Sequence, residues 1–293
     1  MTVVREIQAK VLLSHIKQPD PWFGLKYNMN LYRGCQHRCI YCDSRSECYG
    51  VDHFDSEIHV KANAIERLRD ELSRKRVKGL IGTGSMNDPY MPLERTRMLT
   101  GAALEVIAEF GFPVHVLTKS DLVLRDVARF QAIQRRTRAV VSFTITTADD
   151  DLAARIEPYA PRPSARFEAL RKLAAAGIET GVMLMPVLPF IEDSEENVTA
   201  VVERAVDSGA HHVVAFFGLT MRDRQRAYFH AQLDRHFPGL RRRYERTYGN
   251  RYRCDSPNAR SPYALFEKLK ARYGFADRVR PYRAVDAEQL SLF

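Results

Sequence analysis

The sequence predicts an α/β protein: a partial (β/α)6 TIM-like barrel, six strand–helix units around one parallel sheet, followed by a C-terminal helical appendage. Three observations predict it. Short apolar runs and amphipathic runs alternate from about residue 27 to about residue 219, the pattern of a parallel sheet with right-handed crossovers. That stretch of about 190 residues falls short of the roughly 250 that a closed eight-stranded barrel takes. Beyond it the chain turns basic and helical.

The elements follow in order. Each expected strand is short, apolar and bounded by Gly, Pro, Ser or Thr. The first lies at residues 27–32, and a helix follows where Ala64, Ile65, Leu68 and Leu72 share one face. The second strand, residues 79–83, precedes a helix lined by Leu99, Ala103, Val106 and Phe110. Strands three to six are expected at residues 113–117, 138–144, 179–185 and 211–217. In the last part, helical pattern recurs at 228–248 and 263–273, separated by a Gly/Asn/Pro-rich stretch at 249–262. The expected division is a barrel over residues 1–221 and a basic helical region over 222–293 packed on it. In a parallel α/β arrangement the ligand sits at the C-terminal ends of the strands, so the residues following each strand are the site candidates.

Composition bounds the function classes. With 293 residues, 45% hydrophobic and 28% charged, the chain can bury one large core or two small ones, which excludes a disordered tail or a disulfide-stapled miniprotein. No apolar run approaches the roughly 20 residues that cross a bilayer. The first 18 residues carry charges on both sides of a very short apolar stretch and do not read as a signal peptide, so a cytoplasmic location is expected. The net charge of +9 is uneven: residues 222–283 hold 17 Lys and Arg against 6 Asp and Glu, interleaved with seven tyrosines. Guanidinium groups among aromatic rings suit phosphates and stacked bases, which makes nucleic acid a candidate partner; a solvated Arg-rich face is the alternative.

Four of the five cysteines, Cys35, Cys39, Cys42 and Cys48, lie within 14 residues, and Cys254 stands alone. An odd, clustered set points to metal or redox chemistry rather than a disulfide framework. Cys35, Cys39 and Cys42 have the spacing Cys-x3-Cys-x2-Cys after the first strand, so one loop can wrap all three around an inorganic centre. Thiolates suit zinc or an iron–sulfur cluster. Zinc would take Cys48 as its fourth ligand and give a non-enzymatic nucleic-acid-binding protein. A four-iron cluster held by three thiolates keeps one iron open.

That spacing, with Tyr41 before the last cysteine, resembles the radical S-adenosylmethionine enzymes. Five further motifs, GTGSMNDPYMPLE at 82–94, LTKS at 117–120, SFTITT at 142–147, EPYAP at 157–161 and MPVLP at 185–189, resemble successive strand-end motifs of the spore photoproduct lyase-like branch, also called DNA repair photolyase-like. The resemblance implies a [4Fe-4S] cluster on Cys35, Cys39 and Cys42, with S-adenosylmethionine chelating the open iron. It also implies reductive cleavage of that cofactor to a 5′-deoxyadenosyl radical, and an electron donor such as flavodoxin or ferredoxin. The substrate expected is a nucleic acid or nucleotide, with a small molecule or peptide as the alternative.

Carried onto this sequence, the resemblance assigns Asn87 and Asp88 to the cofactor's amine and Lys119 to its carboxylate. Ser142 is assigned to a ribose hydroxyl or the carboxylate, and Tyr41 with Met185-Pro186 flanks the adenine. One departure matters. Where spore photoproduct lyases place a hydrogen-returning cysteine, this chain has Ser85, and a serine O–H bond is too strong to donate to a carbon radical. Cys254 is then the candidate donor or substrate contact, its thiol pKa lowered by neighbouring arginines.

Overall fold

The computed structural model describes residues 2–18 and 22–283. Its strands, in chain order, are β1 (Val3–Ile7), β2 (Leu13–His15), β3 (Tyr27–Met29), β4 (Tyr32–Arg33), β5 (Glu57–Lys61), β6 (Ile81–Thr83), β7 (Val114–Thr118), β8 (Ala139–Thr144), β9 (Glu179–Val187), β10 (His212–Thr220) and β11 (Arg253–Asp255). Strands β3, β6, β7, β8, β9 and β10 run side by side in parallel and correspond to the six expected from the sequence. Antiparallel β2 and β11 flank them, giving an open sheet in the order β11-β10-β9-β8-β7-β6-β3-β2.

Burial explains why these runs read as continuous apolar strings. All six residues of β8 are buried, because a parallel sheet is covered on both faces. The covering helices present the faces that their spacing predicts. Helix Ala64–Ser73 buries Ala64, Leu68 and Leu72, helix Leu99–Phe110 buries Ala103, Leu104, Val106 and Ile107, and helix Glu195–Asp207 buries Val198, Val201 and Val202. Local signals fix their ends. Pro163 opens helix Pro163–Ala175, and the Ser194 side chain accepts from Asn197 N–H at the start of the next helix.

Two departures from the expected elements reposition the chemistry. The run at 27–32 is not one strand: β3 stops at Met29, and Tyr32–Arg33 joins a separate small sheet ordered β1-β5-β4. Tyr32 is fully buried with its hydroxyl on Glu94, and Lys61 N–H donates to Leu31 C=O at 3.1 Å, so the chain is drawn off the main sheet before the cysteine loop begins. The second departure is at the C-terminus. Residues 249–262, expected as a connecting loop, contain β11, which pairs with β10 and places Cys254 opposite Leu219. Helices Asp223–His236, Leu240–Tyr248 and Arg260–Tyr273 surround it. The described part of the appendage is therefore not purely helical, since it supplies the last strand of the sheet and covers an otherwise open parallel edge.

Candidate active site

The cysteine loop leaves β4 through Gly34, whose φ of 81° only glycine adopts readily; a Cβ there would lie 2.5 Å from the Glu57 carbonyl oxygen. Contacts from distant segments then pin the loop. Ile40 N–H donates to Ile156 C=O at 2.9 Å, Tyr159 N–H to His37 C=O at 3.3 Å, and Leu93 N–H to the Gln36 side chain at 2.7 Å. The C-terminal region clamps its far end. Arg222 pairs with Asp43, Ser46 donates to Asp223 at 2.6 Å, Arg224 Nε donates to Arg45 C=O at 2.7 Å, and Gln225 Nε2 donates to Tyr41 C=O at 3.2 Å. The guanidinium of buried Arg45 lies 3.6 Å from the Tyr228 ring centroid.

Cys35, Cys39 and Cys42 all line one cavity of about 540 Å³ at the C-terminal ends of the parallel strands. Cys48 does not line it; it is exposed, and its sulfur accepts from the Ser46 hydroxyl at 3.3 Å. Burial pushes the Cys35 thiol up to about 12 and the Cys39 thiol higher still. As thiolates they need a compensating cation, which a metal centre provides. This donor set, three cysteines lining one cavity with the fourth elsewhere, fits a cluster with one open iron better than a four-thiolate zinc site.

Lys119 lines the same cavity from the end of β7, with its ammonium 3.9 Å from Glu157 Oε1 and 5.7 Å from the Tyr41 ring centroid. Burial opposes its charge, yet the neighbouring Cys39 and Glu157 raise its pKa above the usual lysine value. Glu157 is itself buried, takes the Tyr41 hydroxyl and lies 2.5 Å from Arg166 Nη2. Burial would raise its pKa, but Arg166 and Lys119 hold it below the ordinary range. Arg166 sits closer to Glu157 than Lys119 does, so the Lys119 ammonium is the cation that lines the cavity, which suits an anionic ligand group. Asn87, also lining the cavity, donates Nδ2 to Tyr32 C=O at 2.7 Å and keeps Oδ1 as an acceptor. Tyr41, Met185 and Pro186 complete this part of the wall.

The radical SAM superfamily family model matches residues 29–202, more than half of the chain, including Cys35, Cys39, Cys42, Asn87, Lys119 and Met185. This chain belongs to the radical SAM superfamily. An uncharacterized protein of Mycobacterium tuberculosis is 32% identical over 229 residues, covering 76% of this chain and 67% of that protein. Another from Methanocaldococcus jannaschii is 35% identical over 192 residues, covering 65% of this chain and 70% of that protein. Among solved structures, spore photoproduct lyase complexed with dinucleoside spore photoproduct superimposes with a TM-score of 0.68 at 15% identity, covering 94% of this chain and 80% of that one, so the two share a fold. As a radical SAM enzyme the protein uses a [4Fe-4S] cluster and S-adenosylmethionine.

Against the site as built, one expectation gains detail and two, Ser142 and Cys254, need correction. Asp88 lines the cavity, and both of its oxygens are already engaged. Oδ1 accepts from Tyr90 N–H at 2.8 Å and the Thr118 hydroxyl at 2.6 Å, while Oδ2 accepts from Lys119 N–H at 2.6 Å and lies 3.2 Å from His37 Nε2. Burial works against its charge, but these partners hold its carboxyl at about 2, and it ties the ends of β6 and β7 while facing the cavity. Ser142 is fully buried and does not line the cavity; its Oγ lies between His115 Nε2 at 2.8 Å and His212 Nε2 at 2.9 Å. The His212 ring passes over Gly181, where a Cβ would lie 2.1 Å from Nε2. Thr144, two residues on, is the β8 side chain that reaches the cavity.

Cys254 is the second correction. Its thiol is fully buried beside Leu219, Met221, Phe229, Tyr244 and Tyr248, and it does not line the cavity. Burial pushes it up to about 11, outweighing the nearby arginines. The tyrosines of the basic region behave similarly: Tyr244 and Tyr248 are core, and of the seven only Tyr252 and Tyr263 are largely exposed. Many of its arginines are spent internally, as in Arg241 with Asp234 and Glu245, or Arg226 on the Gly249 and Arg251 carbonyls. Sequence reasoning missed Glu157 as a residue, although it opens the EPYAP motif. It also missed Trp22 and Phe216, which line the cavity together with Tyr252 and Arg253. No described helix is long and apolar enough to cross a membrane.

Proposed function

We propose that this radical SAM enzyme acts on a nucleic acid or nucleotide, with a base presented at the cavity mouth. The observation that carries the reading is the make-up of that mouth. Trp22 and Tyr252, 39% and 49% exposed, line the cavity whose floor holds Cys35 and Cys39, 9% and 6% exposed. Phe216 lies beside Trp22 with ring centroids 6.1 Å apart, Arg253 stands 5.2 Å over Phe216, and Arg222 stands 4.9 Å over Tyr252. Exposed rings stack bases without regard to sequence, and the rings carry the reading, since Arg222 and Arg253 are already paired with Asp43 and Asp255. The spore photoproduct lyase of the same fold, bound to a dinucleoside photoproduct, supports the same substrate class.

When bound, the cluster and S-adenosylmethionine supply a one-electron reduction and a radical that takes hydrogen from carbon. The chain's own residues bind and orient. Cys35, Cys39 and Cys42 ligate the cluster, Lys119 pairs with the methionine carboxylate, Asn87 Oδ1 accepts from the amine, and Thr144 takes the ribose. Tyr41 and Met185-Pro186 flank the adenine, with the Tyr41 ring fixed by its hydroxyl on Glu157. Ser85 faces the cavity held by Asn28 and Asn30, and it returns no hydrogen.

The test is anaerobic binding and turnover of the iron-loaded protein with single-stranded DNA, duplex DNA and RNA. Binding should weaken steeply with salt, and each of Trp22→Ala and Tyr252→Ala should cost about 1–3 kcal/mol, roughly a 5- to 150-fold loss of affinity. Nucleic acid should also stimulate 5′-deoxyadenosine formation, and deuterium placed on the nucleic acid's carbon should appear in the 5′-deoxyadenosine. Salt-insensitive binding together with unstimulated cofactor cleavage would move the substrate to another class.

A further inference from the structure

The cysteine loop has a second outlook. A smaller hollow of about 240 Å³ shares a single lining residue with the thiol cavity, and that residue is His37. His37 stands between Cys35 and Cys39 in the chain and is 1% exposed, so its ring is the partition between the two spaces. Its Nδ1 lies 3.2 Å from the carbonyl oxygen of Tyr159, whose side chain is 57% exposed. From the cysteine loop to the outer surface there is thus one imidazole and one hydrogen bond.

The rim of this hollow is stiff and positive. Pro92, Pro158 and Pro161 line it and fix the backbone. Arg95 lines it too, and the Arg38 guanidinium lies 4.9 Å over the exposed Tyr159 ring. Among the described residues neither Arg38 nor Arg95 has a carboxylate partner; of the acids nearby, Glu94 is taken by Arg125 and Asp126 by Arg125 and Arg129, and Asp121, between the lining residues Ser120 and Leu122, sets one negative charge against the two guanidinium groups. On the proposed function the mouth of the thiol cavity is given to substrate, and Cys35 and Cys39 lie buried beneath it.

We propose that the hollow beside His37, rimmed by Arg38, Arg95 and Tyr159, is the docking surface for a small acidic electron-carrier protein. The proposal rests on the reading of Cys35, Cys39 and Cys42 as cluster ligands. One electron passes from the reduced carrier to the cluster; the carrier is oxidised by one electron, and no bond forms or breaks. Unpaired guanidinium groups steer an acidic partner, and an exposed aromatic in a proline-walled hollow gives it a rigid seat.

The experiment follows bleaching of the cluster's visible absorption when the iron-loaded protein is mixed with reduced flavodoxin or, separately, with dithionite. Arg95→Glu should slow flavodoxin-driven reduction at least tenfold at low salt, while iron content and dithionite-driven reduction stay within twofold of the wild type. The wild-type rate with flavodoxin should fall as salt rises, and the variant's rate should not. Arg38→Glu, inside the cysteine loop, should behave likewise; if it loses iron, Arg95→Glu outside the loop decides. Equal flavodoxin rates in wild type and Arg95→Glu would overturn the docking surface while leaving the cofactor assignment standing. A wild-type protein that takes up no iron, or is not reduced by dithionite, would refute the cofactor assignment and the docking surface with it.

Discussion

At the scale of single residues, the three-thiolate loop separates ligands from bystanders. Replacing Cys48 by Ala should leave about four irons per chain, whereas Ala at Cys35, Cys39 or Cys42 should abolish the cluster, as iron analysis would show. Lys119→Ala should keep the iron and weaken S-adenosylmethionine by about ten- to a hundredfold, the loss of a charge-assisted contact, read by calorimetry. Cys254→Ala should leave cofactor cleavage unchanged and cost about 1 kcal/mol of stability, as expected for trimming a buried thiol in a packed cluster. The cysteine spacing, Lys119 and Asn87 were legible because their chemistry is written in residue type and position after a strand. Ser142 and Cys254 were not, because a strand-end serine can point either way through the sheet, and a polar-looking segment can be one strand of a buried edge. Asp88 was half legible: its place was right, but a count of donors around a carboxylate needs coordinates.

Among the elements, the central strands were legible because burial on both faces writes apolar residues at every position, as in β8. Strand β1 was not, since four of its five residues are exposed, and β11 hides three residues in a Gly/Asn/Pro-rich stretch. The turn before the cysteine loop gives the sharpest test of an element boundary. Gly34→Ala places a Cβ 2.5 Å from the Glu57 carbonyl on a backbone at φ 81°, so the loop must shift. Iron loading of that variant should fall well below the wild type, while far-ultraviolet circular dichroism stays unchanged because the main sheet lies elsewhere. Gly181→Ala should act on the sheet instead: the His212 ring must vacate its place over β9, breaking the contact to Ser142 and lowering the melting temperature.

Over the whole molecule, buried titratable groups pull stability in opposite directions with pH. His115 and His212 are buried neutral, chiefly through desolvation, with pKa values near about 3 and about 4 against the ordinary 6.5. Below about 6.5 the unfolded chain takes up protons that the fold refuses, so stability falls as pH drops towards 4, by up to about 1.4 kcal/mol per pH unit for each imidazole. Glu192 works the other way. It is fully buried with one carboxyl oxygen lacking a hydrogen-bond partner, and burial raises it to about 8. The fold therefore keeps a proton that the unfolded chain loses above about 4.5, and stability declines as pH rises towards 8. Urea midpoints across pH should peak at about 6 to 7, and Glu192→Gln should flatten the fall above the peak and steepen the fall below it. A final consequence comes from the clamp between the cysteine loop and helix Asp223–His236. Asp43, Arg45 and Ser46 meet Arg222, Arg224 and Asp223, partners some 180 residues later in the chain. During synthesis the cysteines leave the ribosome long before the residues that hold them in place, so the loop waits unformed until most of the chain has emerged. Metal delivery belongs to the end of folding, and a nascent chain stalled before residue 222 should expose to oxidation the Cys35 and Cys39 thiols that the finished protein keeps buried.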